Sequence, residues 1–178
     1  IPHWFFSKYI DAYKEFGIDI WGFTVENEPH GNNGSWESMH FTPEEMTDFV
    51  KNYLGPQLEK DGKGDKIILG YDQNRDDIEN WVDSMFENEE SSKYFDGTAV
   101  HWYDSTFEFY PDELQYAHNK APNKYLIQTE ACVDSEIPHW NDDDWYFRKE
   151  ATDWGYDWRE DEKKYLHPKY APFNRYSR

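Results

Sequence analysis

Cysteine is almost missing from these 178 residues: Cys132 stands alone, so no disulfide can close within the chain and the redox compartment stays open. Basic residues are scarce, 18 Lys and Arg against 37 Asp and Glu, giving a net charge of −19. Nucleic-acid phosphates are met by clustered Lys and Arg, so this deficit excludes a nucleic-acid partner. It also disfavours docking on anionic lipid. Long apolar runs are lacking as well: none reaches the ~18 residues that span a bilayer, which excludes stable membrane insertion. The chain opens on Ile1, with no Met and no signal-type segment, and the expectation is a piece of something longer.

Acid and aromatic residues are what the chain has in excess. The acidity reads as solubility, and runs such as Asn141-Asp142-Asp143-Asp144 and Glu160-Asp161-Glu162 read as solvated loops. A calcium site in the first run is the alternative, although the spaced ligands of a calcium loop are missing there. Aromatics are 20% of residues, with 9 Trp and 14 Tyr, more than packing alone requires. Rings flanked by Asp, Asn and Gln suit the faces of sugars; any single ring can equally be a packing ring.

Four runs read as strands: Ile20 to Glu28, Ile67 to Asp72, Gly97 to Tyr103 and Tyr125 to Glu130. Residues 18–25 are apolar on both parities, which predicts a strand covered on both faces, ended by Pro29. Helical patterns alternate with the strands. The helix from Pro43 to about Leu58 has Thr42 as N-cap, Pro43 at its first position, Glu45 closing a capping box, and an apolar stripe of Met46, Phe49, Val50, Tyr53 and Leu54. A second, from about Asp77 to Asn88, carries Ile78, Trp81, Val82, Met85 and Phe86; a third begins near Pro111; and Pro2 to Phe16 is stopped by Gly17. This β-α repeat implies an α/β fold with parallel strands. The stretch from Ser135 to Arg178, rich in Trp, Asp and Pro, reads as a long excursion beyond the last strand, with no linker dividing the chain.

In parallel β/α barrels the reactive groups gather at the carboxyl ends of the strands. Those ends hold Glu28, Asp72, His101 with Tyr103, and Glu130. Two carboxyl groups across a sugar are what glycoside hydrolysis requires, one protonated to release the leaving group and one ionised toward the anomeric carbon. Glu28 and Glu130 fit those roles; the alternative is two buried glutamates in structural ion pairs, with few cations near to serve them. His101 can also be a satisfied core histidine, Trp102 a packing ring, and Asp72 a group that only holds the others in place. Cys132 reads as a buried packing thiol. Glu26, two residues before Glu28, would share its face of the strand.

The run TVENEP, the capped segment FTPEEMTDFVKNYLGPQL, and then ILGYDQNR, AVHWY and QTEACVDS resemble glycoside hydrolase family 30, in its glucosylceramidase-like branch. That resemblance implies a retaining β-glycosidase on a (β/α)8 TIM barrel, acting on β-glucosides such as glucosylceramide without cofactor or metal; a β-1,6-glucanase or β-xylosidase of the same family is the alternative, and a non-catalytic carbohydrate-binding piece a further one. It implies Glu28 as general acid/base at the end of barrel strand four and Glu130 as nucleophile at the end of strand seven. Asn27 would bond the sugar 2-hydroxyl, Tyr103 and His101 would sit beside the nucleophile, Trp102 would line the sugar subsite, and Asp72 would contact the substrate region or support its neighbours. The family usually has an uncharged residue where Glu26 stands.

On that numbering residues 1–178 cover approximately strands four to seven with their helices, and strands one to three, strand eight and the family's β-sandwich are expected elsewhere. The remainder of the barrel would come from the same or another chain. A secreted, lysosomal or otherwise extracytoplasmic setting is expected. The triplet Asn33-Gly34-Ser35 would be a glycosylation site only on a eukaryotic secretory route.

Overall fold

The computed structural model describes residues 3–31, 39–103 and 109–131. The sequon at Asn33, Cys132 and both acidic runs lie outside the described residues. The chain divides into two compact units, one of residues 1–101 with 110–129, the other of 102–109 with 130–178.

The first unit alternates helices and strands. α1 (Trp4–Glu15) leads to β1 (Gly22–Thr24) and then α2 (Pro43–Phe49), which runs through a widened helical turn at Val50–Leu54 into α3 (Gly55–Lys60). β2 (Ile67–Asn74), a tight turn at Arg75–Asp77, α4 (Ile78–Met85), α5 (Glu89–Ser92), β3 (Gly97–His101), α6 (Pro111–Lys120) and β4 (Tyr125–Glu130) complete the order. The strands form one sheet in the order β1-β2-β3-β4, and β1 with β2 and β2 with β3 pair in parallel. This is the parallel α/β arrangement that the repeat predicted and the half-barrel that the family resemblance implied, and no helix among the described residues is long and apolar enough to cross a membrane.

Local chemistry places the helix ends. Thr42 accepts from the Glu45 N–H at 3.2 Å while the Glu45 carboxylate accepts from the Thr42 N–H at 2.9 Å, the reciprocal box that the sequence predicted. Thr42→Ala is expected to cost about 1 kcal/mol, read from the urea midpoint of the intact protein. At the end of α1, Gly17 takes φ +77°; its N–H reaches the Lys14 carbonyl and that of Ile18 the Tyr13 carbonyl, closing the helix in a Schellman arrangement that favours glycine.

Two sequence expectations are corrected here. Tyr53 is 51% exposed, whereas Met46, Val50, Leu54 and Leu58 are buried. Pro56 explains the shift: it offers no N–H and crowds the carbonyl four residues back. The widened turn just before it adds a residue to the repeat, so the buried stripe steps past Tyr53. β1 is also shorter than Ile20–Glu28 and not covered on both faces, because of residues 18–25 only Val25 is buried. β1 is at one margin of the described sheet and β4, mostly exposed, at the other. Between them β2 is buried except at its ends and β3 throughout, the pattern of parallel strands with layers on both sides.

The core lies between the sheet and α2–α4. Met46, Val50, Leu54 and Leu58 come from the α2–α3 helix, Ile78, Trp81, Val82 and Met85 from α4, with Tyr71 and Phe95. Gly70 has no side chain for a reason of space: a Cβ there would run into Met85 Sδ and the Phe95 ring.

Candidate active site

β2 does not run straight to its end. Its register with β3 shifts between Tyr71 and Gln73, and Tyr71 and Asp72 take φ +75° and +61°. Two successive non-glycine residues in this region store roughly 1–3 kcal/mol each, so the surroundings must hold them. Tyr71 is fully buried, its N–H meets Met46 Sδ at 3.5 Å, and its hydroxyl donates to the Asn74 carbonyl. A bulge of this kind bends a strand and re-aims a side chain. Here it turns Asp72 toward His101.

The same bulge explains why β1 stops early. The Val25 N–H still reaches the Leu69 carbonyl at 3.2 Å, but beyond Leu69 the partner strand has left the ladder. The chain then bends, and the Glu28 N–H finds the Asp72 carbonyl at 3.0 Å. Glu28 itself has φ +51°. It therefore stands on a strained bend four residues past β1 rather than at a strand's last position, so alternation along a strand does not relate it to Glu26.

Three of the sequence candidates meet in this unit. His101, the last residue of β3, is fully buried. Its Nδ1 lies 3.3 Å from Glu28 Oε1 and its Nε2 lies 3.2 Å from Asp72 Oδ1. The Glu28 side chain keeps 17% of its surface open while that of His101 keeps 1%: a carboxyl at the surface rests on a covered imidazole. Asn27 is exposed on the bend. In the second unit, Trp102 and Tyr103 are half-buried and Glu130 is exposed.

Sequence reasoning missed Thr129, whose hydroxyl donates to Asp72 Oδ1 at 2.5 Å. The signal was there, a hydroxyl residue immediately before Glu130 on the same strand, but hydroxyls in strands are common. Burial works against ionised Asp72, yet hydrogen bonds from His101, Thr129 and Thr24 hold its carboxyl below the ordinary range. Glu26 is opposite. Burial lifts its carboxyl above the ordinary range, the Met39 N–H that it accepts at 3.2 Å only partly offsets this, and the charge of Asp72 adds to the rise.

A carboxyl raised by folding contributes stability below its unfolded pKa, which is lost as pH rises through the folded value. At neutral pH ionised Glu26 therefore works against the fold. Glu26→Gln keeps an oxygen for the Met39 N–H and removes the charge, so a higher urea midpoint than wild type is expected at pH 7. The difference should close below about pH 4, where the unfolded carboxyl is also protonated.

Parallel strands whose carboxyl ends gather glutamate, aspartate and histidine around a surface-facing carboxyl define a β/α-barrel site of the glycosidase kind. The chain belongs to glycosyl hydrolase family 30: the family's TIM-barrel domain matches residues 3–157. It is 34% identical to the lysosomal acid glucosylceramidase of Mus musculus over 136 residues, 75% of this chain and 26% of that protein. It is 29% identical to an endo-1,6-β-D-glucanase of Aspergillus fumigatus over 126 residues, 71% of this chain and 25% of that protein. Among solved structures, an endo-β1,6-glucanase is similar with a TM-score of 0.65 and 35% identity, covering 75% of this chain and 29% of that one. The chain thus spans about a quarter of the length of the curated relatives it matches.

Proposed function

We propose that the protein is a retaining β-glycosidase that hydrolyses β-glucosides, glucosylceramide among them, by double displacement through a covalent glycosyl-enzyme. Glu28 is the general acid/base and Glu130 the nucleophile; Asn27 takes the sugar 2-hydroxyl, Trp102 lines the sugar subsite, and Tyr103 orients the nucleophile. The observation that carries this reading is Glu28 itself, a carboxyl open to solvent on one side and set against His101 on the other, in a chain of this family. A general acid must be held where it can reach the leaving oxygen, and backbone strain at Glu28 is the cost of such placement.

On this reading residues 1–178 are part of a (β/α)8 catalytic domain, approximately strands four to seven, and the remaining strands complete the site. The mouse relative's name supports a lysosomal or other extracytoplasmic setting. The glucanase relatives favour a second reading, an enzyme of β-1,6-glucan, since the solved glucanase is as similar to this chain as the glucosylceramidase is.

A panel of aryl β-glucoside, aryl β-xyloside, β-1,6-glucan and glucosylceramide, given to the intact protein, decides between them. Release of glucose from the aryl glucoside and from glucosylceramide is expected. Cleavage of the glucan alone would move the assignment to the second reading, and cleavage of none would end both. In a structure of the intact enzyme the two carboxyl groups should stand about 5–5.5 Å apart, the spacing of a retaining pair.

A further inference from the structure

We propose that Thr129, Asp72 and His101 form a hydrogen-bond relay that holds the reacting proton at the contact between His101 and Glu28, with Thr129 and Asp72 as positioning residues that act through His101. The proposal rests on the reading of Glu28 as the acid/base and adds how its proton is kept.

A neutral imidazole has one N–H and one acceptor nitrogen. Both ring nitrogens of His101 face a carboxyl oxygen, Glu28 Oε1 at 3.3 Å and Asp72 Oδ1 at 3.2 Å. The two contacts are therefore both hydrogen bonds only if the carboxyl groups differ or if the ring carries a second proton. Asp72 breaks the symmetry. Its Oδ1 takes the Thr129 hydroxyl at 2.5 Å, and Thr24 bonds the same carboxyl group. Thr129 Oγ1 also lies 3.4 Å from the Val100 carbonyl, but it has a single proton, and the shorter, charge-assisted partner takes it.

A carboxylate supplied by these donors stays ionised and can only accept. His101 Nε2 must then carry its proton toward Asp72. The contact between Nδ1 and Glu28 Oε1 then takes one proton, donated by the glutamic acid to the ring or by the ring to the glutamate. Either arrangement has the same proton count.

During glycosylation this proton passes to the glycosidic oxygen as its bond to the anomeric carbon breaks and the Glu130 carboxylate bonds that carbon. The Nε2–H stays in place throughout. During deglycosylation water delivers its oxygen to the anomeric carbon and a proton to Glu28, while Glu130 leaves as a carboxylate. Nothing beyond substrate and water is consumed. Because His101 and Asp72 are buried, solvent does not compete for the ring, and the backbone bond from Glu28 N–H to the Asp72 carbonyl fixes the distance between the two carboxyl-bearing residues.

The test uses two substrates of the intact enzyme that differ in their need for a proton. Dinitrophenyl β-glucoside loses its leaving group unaided; phenyl β-glucoside needs the acid. A positioned general acid contributes about 10²–10⁴-fold, so Asp72→Asn is expected to lower kcat/KM for phenyl β-glucoside by at least about a hundredfold. The dinitrophenyl substrate should fall by less than about fivefold. Thr129→Val should show the same split at roughly a tenth of the size, and Thr129→Ser, which keeps the hydroxyl, should restore it. Equal losses on both substrates would mean a purely structural role and overturn the relay.

The ¹⁵N spectrum of the His101 ring supplies a readout that does not depend on turnover. A protonated Nε2 is expected in the wild type, and in Thr129→Val its N–H resonance should shift. An unprotonated Nε2 overturns the relay whatever the enzyme hydrolyses. A protonated Nε2 in a protein that cleaves no β-glycoside overturns the assignment of Glu28 instead.

Discussion

On the proposed mechanism Glu130→Gln is expected to abolish hydrolysis of any β-glucoside that the intact enzyme accepts. The substitution keeps the size of the side chain and removes the charge that, on the proposed mechanism, meets the anomeric carbon. Loss of a covalent nucleophile elsewhere lowers kcat by roughly six orders of magnitude, and a fall of at least about four is the expectation here. Glu28→Gln should behave differently. With a leaving group that departs unaided, the first step survives and the glycosyl-enzyme waits for a base that is missing. Azide, a nucleophile that needs no deprotonation, should then release the sugar from Glu28→Gln and not from Glu130→Gln. The product should be the β-glucosyl azide, the outcome of two inversions. An α product would overturn the retaining mechanism, and rescue of the wrong variant would exchange the two roles. Initial rates with and without azide, and the anomeric coupling in the product's proton spectrum, decide it.

The largest expected effect on stability is that of Trp81→Ala, about 3–5 kcal/mol. Trp81 is the largest of the fully buried side chains among the described residues. Its ring lies 5.4 Å from that of Tyr71 and 5.8 Å from that of His30, and its indole N–H donates to His30 Nε2 at 3.3 Å. Truncation opens a cavity under Tyr71, the residue that starts the bulge. Since a domain's net stability is about 5–15 kcal/mol, a loss of this size puts the fold itself at risk at moderate temperature. The effect on the site should follow the effect on the bulge: with Tyr71 less supported, Asp72 loses its strained φ. Thermal and urea unfolding of the intact protein measure the first effect, and activity well below the shifted melting temperature measures the second. Trp81→Phe keeps most of the volume and loses the N–H, so a cost nearer 1 kcal/mol is expected.

Much of the fold could be read in the chain because the signals are local. The capping box at Thr42 and Glu45, the Gly17 stop, and the spacing of Ile78, Trp81, Val82 and Met85 are each complete within a few residues, and each acts as expected. Strand limits were read less well. Apolar residues from 18 onward suggested a long covered strand, but pairing ends with the partner's bulge, and the bulge is held where Tyr71, bonded to Asn74 of its own strand, meets Met46 of α2. Tyr53 was misplaced for a related reason: the effect of Pro56 on the preceding turn moves a stripe that a regular 3.6-residue period cannot follow.

The candidate residues Glu28, Asp72 and His101 were legible from residue type near the ends of apolar runs, although only His101 is the last residue of its strand, and family membership was legible in the runs that contain them. Their mutual arrangement was not. That Glu28 rests on His101, that His101 reaches Asp72 by its other nitrogen, and that Thr129 joins them are contacts between residues 29 to 73 positions apart. The sequence by itself determined which groups could do chemistry and which elements would carry them, since residue type and short-range periodicity are properties of neighbours along the chain. Only the tertiary structure decided which groups come within hydrogen-bond distance of one another. Hydrogen bonds are set by distances of a few ångströms, and here those distances depend on one strained turn in β2.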